Sequence, residues 1–331
     1  MDLDAYTAAR SADWDRLAQL AKRRRLDGRE ADELIDLYQS GASDLSAIKT
    51  IAGSTATGDR LSLALASARL RFTGAGANVF SMLPRFFVYQ LPAALYRIRW
   101  VVLAVAAATV VVATLYAIWI TGNPEVLRNF GTDAQLRQYV DHSFIDYYSN
   151  NPAASFSGQV WTNNAWIAAQ CIAFGITGVY VPFVLLQNAI GVGTAAGVMF
   201  AYGRGDVMFS YILPHGMLEL TSVFVAAAAG LRIFWAWIAP GARTRAQALA
   251  EDGRALFTVA VGCAISLFVS GLIEGFVTPS ELPVWAKITI GALALAAFLA
   301  YMLVLGRRAV RLGETGDLTE YESGSRRVVA G

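Results

Sequence analysis

The run Trp100–Ile120, WVVLAVAAATVVVATLYAIWI, is 21 residues without a charge. At about 1.5 Å per residue a helix of that length covers the roughly 30 Å hydrocarbon core of a bilayer. Only a structure that satisfies its own backbone hydrogen bonds can cross that core, so the run predicts a spanning helix. The rest of the chain agrees. Of its 331 residues, 56% are hydrophobic and 16% charged, with mean hydropathy +0.45. Soluble domains carry about 45–50% and 25%. The sequence therefore reads as an all-α, polytopic membrane helix bundle.

About six spans are expected, near 100–120, 160–181, 183–202, 211–238, 255–277 and 284–305. Pro182 separates the second from the third. Those two carry Asn163, Asn164, Gln170, Gln187 and Asn188, so a re-entrant pair buried in protein is the alternative. Lysines and arginines set the orientation. Arg69, Arg71, Arg85, Arg97 and Arg99 precede the first span; Arg243, Arg245 and Arg254 lie in the 240s loop; Arg307, Arg308 and Arg311 follow the last span. The outer loop 121–159 has Arg128 and Arg137 against Glu125, Asp133, Asp141 and Asp146. Both termini are expected in the cytoplasm and the protein in the plasma (inner) membrane.

Residues 1–75 read as a cytoplasmic helical region, with helices over Asp4–Arg24, Glu30–Gln39 and Asp59–Phe72. Asp27-Gly28-Arg29-Glu30 has the form of a capping box, and Leu34, Ile35 and Tyr38 give an apolar face. The start, MDLDAYTAARSADW, is polar, so no cleavable secretory signal is expected. The Lys22–Arg25 cluster reads as a solvated helix face, with anionic lipid as the alternative. Residues 76–99 mix aromatics with Arg85, Arg97 and Arg99 and are broken by Pro84 and Pro92, which suits an interfacial segment turning into the first span. In the outer loop, Leu136, Tyr139, Val140, Phe144, Tyr147 and Tyr148 form an apolar stripe. Residues 306–331 are expected to be a disordered cytoplasmic tail.

This topology sends polar groups from several elements to one layer near the outer leaflet. His215 and Glu219 lie four residues apart in PHGMLEL; Glu274 lies where the fifth span exits; Asn163 and Asn164 lie where the second enters. A charge at the bilayer centre costs roughly 2.5–3.5 kcal/mol on insertion scales, so these groups should face the bundle interior, with His215 and Glu219 paired across one helix turn. Three uses stay open: a polar lock fixing helix register, a proton- or ion-coupled site, and a metal site. Two carboxylates and a histidine could ligate a divalent cation, but His-x-x-x-Glu is slender evidence, and neither metal nor cofactor is expected. No Ser-His-Asp set, Walker loop or HExxH motif is present, so an enzyme is not expected. The near-neutral formal charge of +2 gives no reason to expect nucleic acid. Cys171 and Cys263 lie in apolar runs and suggest no disulfide framework. Gly193-x-x-x-Gly197 and Gly271-x-x-x-Gly275 are small-residue pairs for close helix packing; Gly175 with Gly178 and Gly191 with Gly193 add to them. Arg232, near the inner end of the fourth span, should snorkel.

The stretches YYSNNPAASFSGQVWTNNAWIA, LLQNAIGVG, PHGMLELTSVFVAAAAGL and LIEGFVTPS resemble the stage II sporulation protein M family. The similarity runs from about Trp14 to Leu305, and LYQSGASDLS fits the actinobacterial-type members. It departs at Gln187-Asn188-Ala189, where Asn-Gly is expected. The resemblance implies a membrane-embedded partner of cell-wall hydrolases, and no catalytic residues to carry over. The expected function is thus a membrane scaffold or assembly partner for cell-envelope proteins, in contact with the bilayer, with self-association left open. The alternative is an ion- or proton-coupled transporter or channel using the outer-leaflet polar site.

Overall fold

The computed structural model describes residues 3–23, 26–52, 55–72, 83–149 and 153–317. Expectations for Arg24, Arg25, residues 73–82, Asn150–Pro152 and 318–331 lie outside the described residues. The chain divides into two compact units, one reaching Leu83 and one running from Pro84 to Leu318.

The first unit has three helices, Leu3–Lys22, Gly28–Ala52 and Ala56–Phe72. The capping box is formed, with the Glu30 amide donating to Asp27 Oδ1 at 2.8 Å and the Asp27 amide to Glu30 Oε2 at 3.3 Å. The middle helix runs 13 residues past the predicted Gln39 end. Its buried face is Leu34, Gly41, Asp44 and Ile48, and Ile35 is exposed. Gly41 lies on that face, where an added Cβ would make ordinary contact with Leu65, Leu17 and Leu61 at 3.4–3.6 Å, so packing against the neighbouring helices carries the helix past the point where propensity alone suggests an end. Buried Asp44 accepts from Tyr6 Oη at 2.7 Å and from Trp14 Nε1 at 2.9 Å.

Among the described residues of the second unit, five helices are long and apolar enough to cross a membrane: Arg99–Gly122, Tyr180–Ala201, Gly205–Ile238, Arg245–Val277 and Val284–Arg311. A further helix, Ala153–Ala173, has the length but is rich in Asn, Gln and Ser. It ends earlier than the expected residue 181, in a turn where Gly178 takes φ +72°. Pro182 opens the next helix instead of dividing two spans, because first-turn amides have no intrahelical partner to lose. Large side chains such as Trp100, Leu115, Ile118, Leu293 and Val304 are exposed on these helices, as a lipid-facing surface requires.

The Gly205–Ile238 helix is the centre of the bundle. At 34 residues it is about 51 Å long and must tilt within a bilayer. Its Val225–Ala229 run is almost wholly buried, and small residues let neighbouring backbones close in. A Cβ on Gly230 would stand 2.1 Å from the Cys171 carbonyl oxygen, and one on Gly291 2.0 Å from that of Pro214.

Two expectations at the arginine-rich end are corrected. Leu91–Arg97 is a helix with Leu91, Ala93, Ala94 and Leu95 buried, so this part of the interfacial segment is packed into the bundle. Pro92 sits in that helix's first turn and breaks nothing. The tail does not begin disordered at 306, since helix continues to Arg311. Arginines then hold residues 314–317 against the bundle. Arg85 meets Glu314 at 3.3 Å, Arg97 donates to the Thr315 carbonyl at 2.7 Å, and Arg254 grips Asp317 at 2.5 and 2.6 Å. Arg232, expected to snorkel, lies 3.4 Å from buried Asp252, which Arg243 approaches to 3.3 Å.

Candidate functional site

His215 and Glu219 stand one turn apart on the central helix. His215 is buried, and Glu219 is half-buried and lines a cavity. Glu274 comes from a π-helical turn, Ile273–Val277, that continues the Arg245–Leu272 helix. Such a turn inserts an extra residue into the helical repeat and rotates the side chains beyond it. Here it brings Glu274 Oε1 to 3.7 Å from His215 Nε2 and Thr278 Oγ1 to 3.3 Å from His215 Nδ1. The histidine thus faces the Glu274 carboxyl across two helices, and among the described residues no contact within 4 Å pairs it with the expected Glu219. One ligand atom from each of His215, Glu219 and Glu274 lies within 4.8 Å of the others.

Thr278 Oγ1 lies 3.3 Å from His215 Nδ1 and 3.4 Å from the Ile273 carbonyl oxygen. A hydroxyl that donates to the carbonyl offers its lone pair to a protonated Nδ1, the tautomer that leaves Nε2 an acceptor. Nε2 stands 3.7 Å from Glu274 Oε1, too far for a hydrogen bond. Ser270 donates to the His215 carbonyl at 3.0 Å, pinning the two helices at this level. Glu274 Oε2 is buried and has no hydrogen-bond partner among the described residues.

These groups line a cavity of about 1110 Å³ with Asn163, Asn164, Gln159, Thr162 and Trp166 of the Ala153–Ala173 helix. The five polar residues singled out from sequence therefore share one cavity. Of the paired glycines, Gly271, Gly193 and Gly197 lie at close helix contacts. A Cβ on Gly271 would meet the Ser157 carbonyl at 3.2 Å and Trp161 Cβ at 3.3 Å, which sets the Asn-bearing helix beside Glu274. Gly275 is buried in the π turn. Gly193 and Gly197 face the Arg99–Gly122 helix, where added Cβ atoms would come within 2.7 Å of the Ala113 carbonyl and Ile120 Cβ.

A helical cap closes one side. Asp133–Gln138, Tyr139–Ser143 and Phe144–Ser149 follow one another, with Leu136, Val140, Phe144 and Tyr148 buried and Tyr147 exposed. Thr132 and Gln135 form a capping box that starts the cap. Asp133 accepts from Tyr202 Oη at 2.8 Å, and Arg204 reaches Asp141 at 3.4 Å. Arg137 and Tyr202 hold the Asp133 carboxyl below its ordinary range through hydrogen bonds. Tyr148 packs 5.8 Å from the His215 ring and 5.3 Å from Tyr211. Burial first, and then the Glu274 carboxylate, raise its phenol well above the ordinary value. Farther along the central helix, Ser222 bonds Ser266 at 2.7 Å, and the buried Val225–Ala229 run comes next. Thr278, Ser270 and Tyr148 were not picked out as site residues from sequence. Thr278 had one usable signal, a position four residues after Glu274 in IEGFVTP.

An all-α bundle of membrane-length helices around an ionisable cluster defines an integral membrane protein. Residues 101–279, more than half of the chain, match the family model for Stage II sporulation protein M, and the chain belongs to that family. Residues 4–74 match a separate model, a domain of unknown function, DUF8413. The N-terminal part of the resemblance is thus covered by this second model and not by the first. No curated protein and no solved structure matches the chain.

Proposed function

We propose that this protein is a plasma-membrane assembly platform whose capped cavity receives a segment of a cell-envelope partner. The single observation that carries the reading is the cavity itself. At about 1110 Å³ it exceeds the roughly 300–1,000 Å³ of small-molecule pockets. Exposed Tyr147 and Trp166 line it, and aromatic residues are the usual anchors of protein interfaces. The base-poor loops beside it support an outward-facing cavity with both termini cytoplasmic. The partner class, a cell-wall hydrolase, is taken from the family resemblance. The test is co-purification of a tagged chain with a candidate wall hydrolase from native membranes. Tyr147→Ala with Trp166→Ala should abolish capture while leaving the thermal profile of the protein unchanged. Undiminished capture refutes the reading.

Ion-coupled transport is the second reading, favoured by the His215, Glu219 and Glu274 cluster. The buried Val225–Ala229 run along the same helix argues against an open path. Flux into proteoliposomes that disappears with Glu219→Gln would reverse this order.

A further inference from the structure

We propose that His215, Glu219 and Glu274 form a binding site for a divalent transition-metal ion of the zinc or manganese class. Three observations converge on it. The ligand atoms lie within 4.8 Å of one another. The His215 Nε2 to Glu274 Oε1 separation of 3.7 Å is close to the edge, about 3.4 Å, of a tetrahedron with metal–ligand bonds of about 2.1 Å. Glu274 is 3% exposed, and its Oε2 has no hydrogen-bond partner among the described residues.

The chemistry of the donors gives the sign of the missing partner. In the tautomer with the proton on Nδ1, facing Thr278 Oγ1 at 3.3 Å, Nε2 presents a lone pair. Two carboxylates face the same point. With both carboxyls ionised the three inward-pointing ligand atoms are all acceptors, and a cation is the partner that completes such a cluster. A divalent cation neutralises both carboxylates and accepts the nitrogen, leaving a group of zero net charge for a bilayer interior. Thr278 then plays the part of the outer partner that most metal-bound histidines have on their second nitrogen. One imidazole with two carboxylates suits zinc or manganese better than calcium, which takes six to eight oxygens. Three protein ligands leave at least one position free toward the cavity, the pattern of sites that exchange a water or an external ligand. The sequence offered the same three ligands without their geometry; the π turn at Ile273–Val277 is what carries Glu274 to His215.

The site does not depend on the platform reading, since metal content and partner capture are separate measurements. The experiment uses the full chain in lipid nanodiscs, stripped with chelator and titrated with Zn²⁺, Mn²⁺ and Co²⁺. Wild type should take up one equivalent, with Co²⁺ giving the absorption of a low-coordinate site. Glu219→Gln, Glu274→Gln and His215→Ala should each lose saturable uptake. Thr278→Val, which removes only the positioning partner, should weaken it about 10–100-fold. His142→Ala, the chain's other histidine, should bind as wild type does. Should the ligand variants fail to fold, zinc X-ray absorption of wild type decides alone: one imidazole with oxygen donors supports the site. No saturable binding by wild type, binding untouched in all three ligand variants, or a shell with several imidazoles or sulfur overturns it.

Discussion

Gly230→Ala sets helix propensity against packing, and the two disagree in sign. Alanine is favoured over glycine inside a helix by about 1 kcal/mol, so the local argument predicts stabilisation. The added Cβ, however, would stand 2.1 Å from the Cys171 carbonyl oxygen and 3.1 Å from its carbon. Real Cβ atoms essentially never come closer than 3.0 Å to such neighbours, so at least 0.9 Å of separation must be found (3.0 − 2.1). The obstacle is backbone on both sides, because Gly175 Cα is a further 3.2 Å neighbour, and no side chain can swing away. Overpacking costs typically about 1–3 kcal/mol, and a rigid contact belongs at or above the top of that range. The net expectation is a loss of about 2 kcal/mol. For a domain of this size that lowers Tm by roughly 4–8 °C. Thermal unfolding of the purified protein in detergent measures it, with Gly253→Ala as control. Nothing lies within 4 Å of a Cβ at Gly253, so there propensity acts alone and stability should hold or rise. A Gly230→Ala protein as stable as wild type would refute the close helix crossing.

In the N-terminal unit, Asp44→Asn leaves one acceptor for two donors, Tyr6 and Trp14, and turns an amide donor toward the other. The loss of a buried charge-assisted bond, about 1.5–3 kcal/mol, should speed amide hydrogen exchange across the helices of residues 3–72 with little change beyond residue 84. At the other end, Arg254→Ala removes both hydrogen bonds to Asp317. Amides of residues 313–317 should then exchange at least about tenfold faster, and unchanged protection would mean that Arg85 and Arg97 suffice.

Much of the architecture was legible because bilayers impose a length and a polarity that show in linear order. The run at Trp100–Ile120 is helix from Arg99 to Gly122. Boundaries were read less well wherever a small residue was packing against something remote. Gly41 sits inside a helix, and Pro182 and Pro92 sit where prolines begin helices rather than end them. Arg254 and Asp317 are 63 residues apart, so nothing near the tail announces the contact that orders its first residues.

The sequence by itself determined that this chain is a membrane-embedded helix bundle and that His215, Glu219, Glu274, Asn163 and Asn164 belong to one layer. Hydropathy and span order suffice for that, because depth in a bilayer follows from position along a span. Which groups touch was decided only by the tertiary structure. His215 faces Glu274 across two helices because a π turn shifts the register there, and the Ser270 hydroxyl, donating to the His215 carbonyl, holds those helices together at that level. Helix rotation and register arise from contacts between distant residues, and no local spacing encodes them.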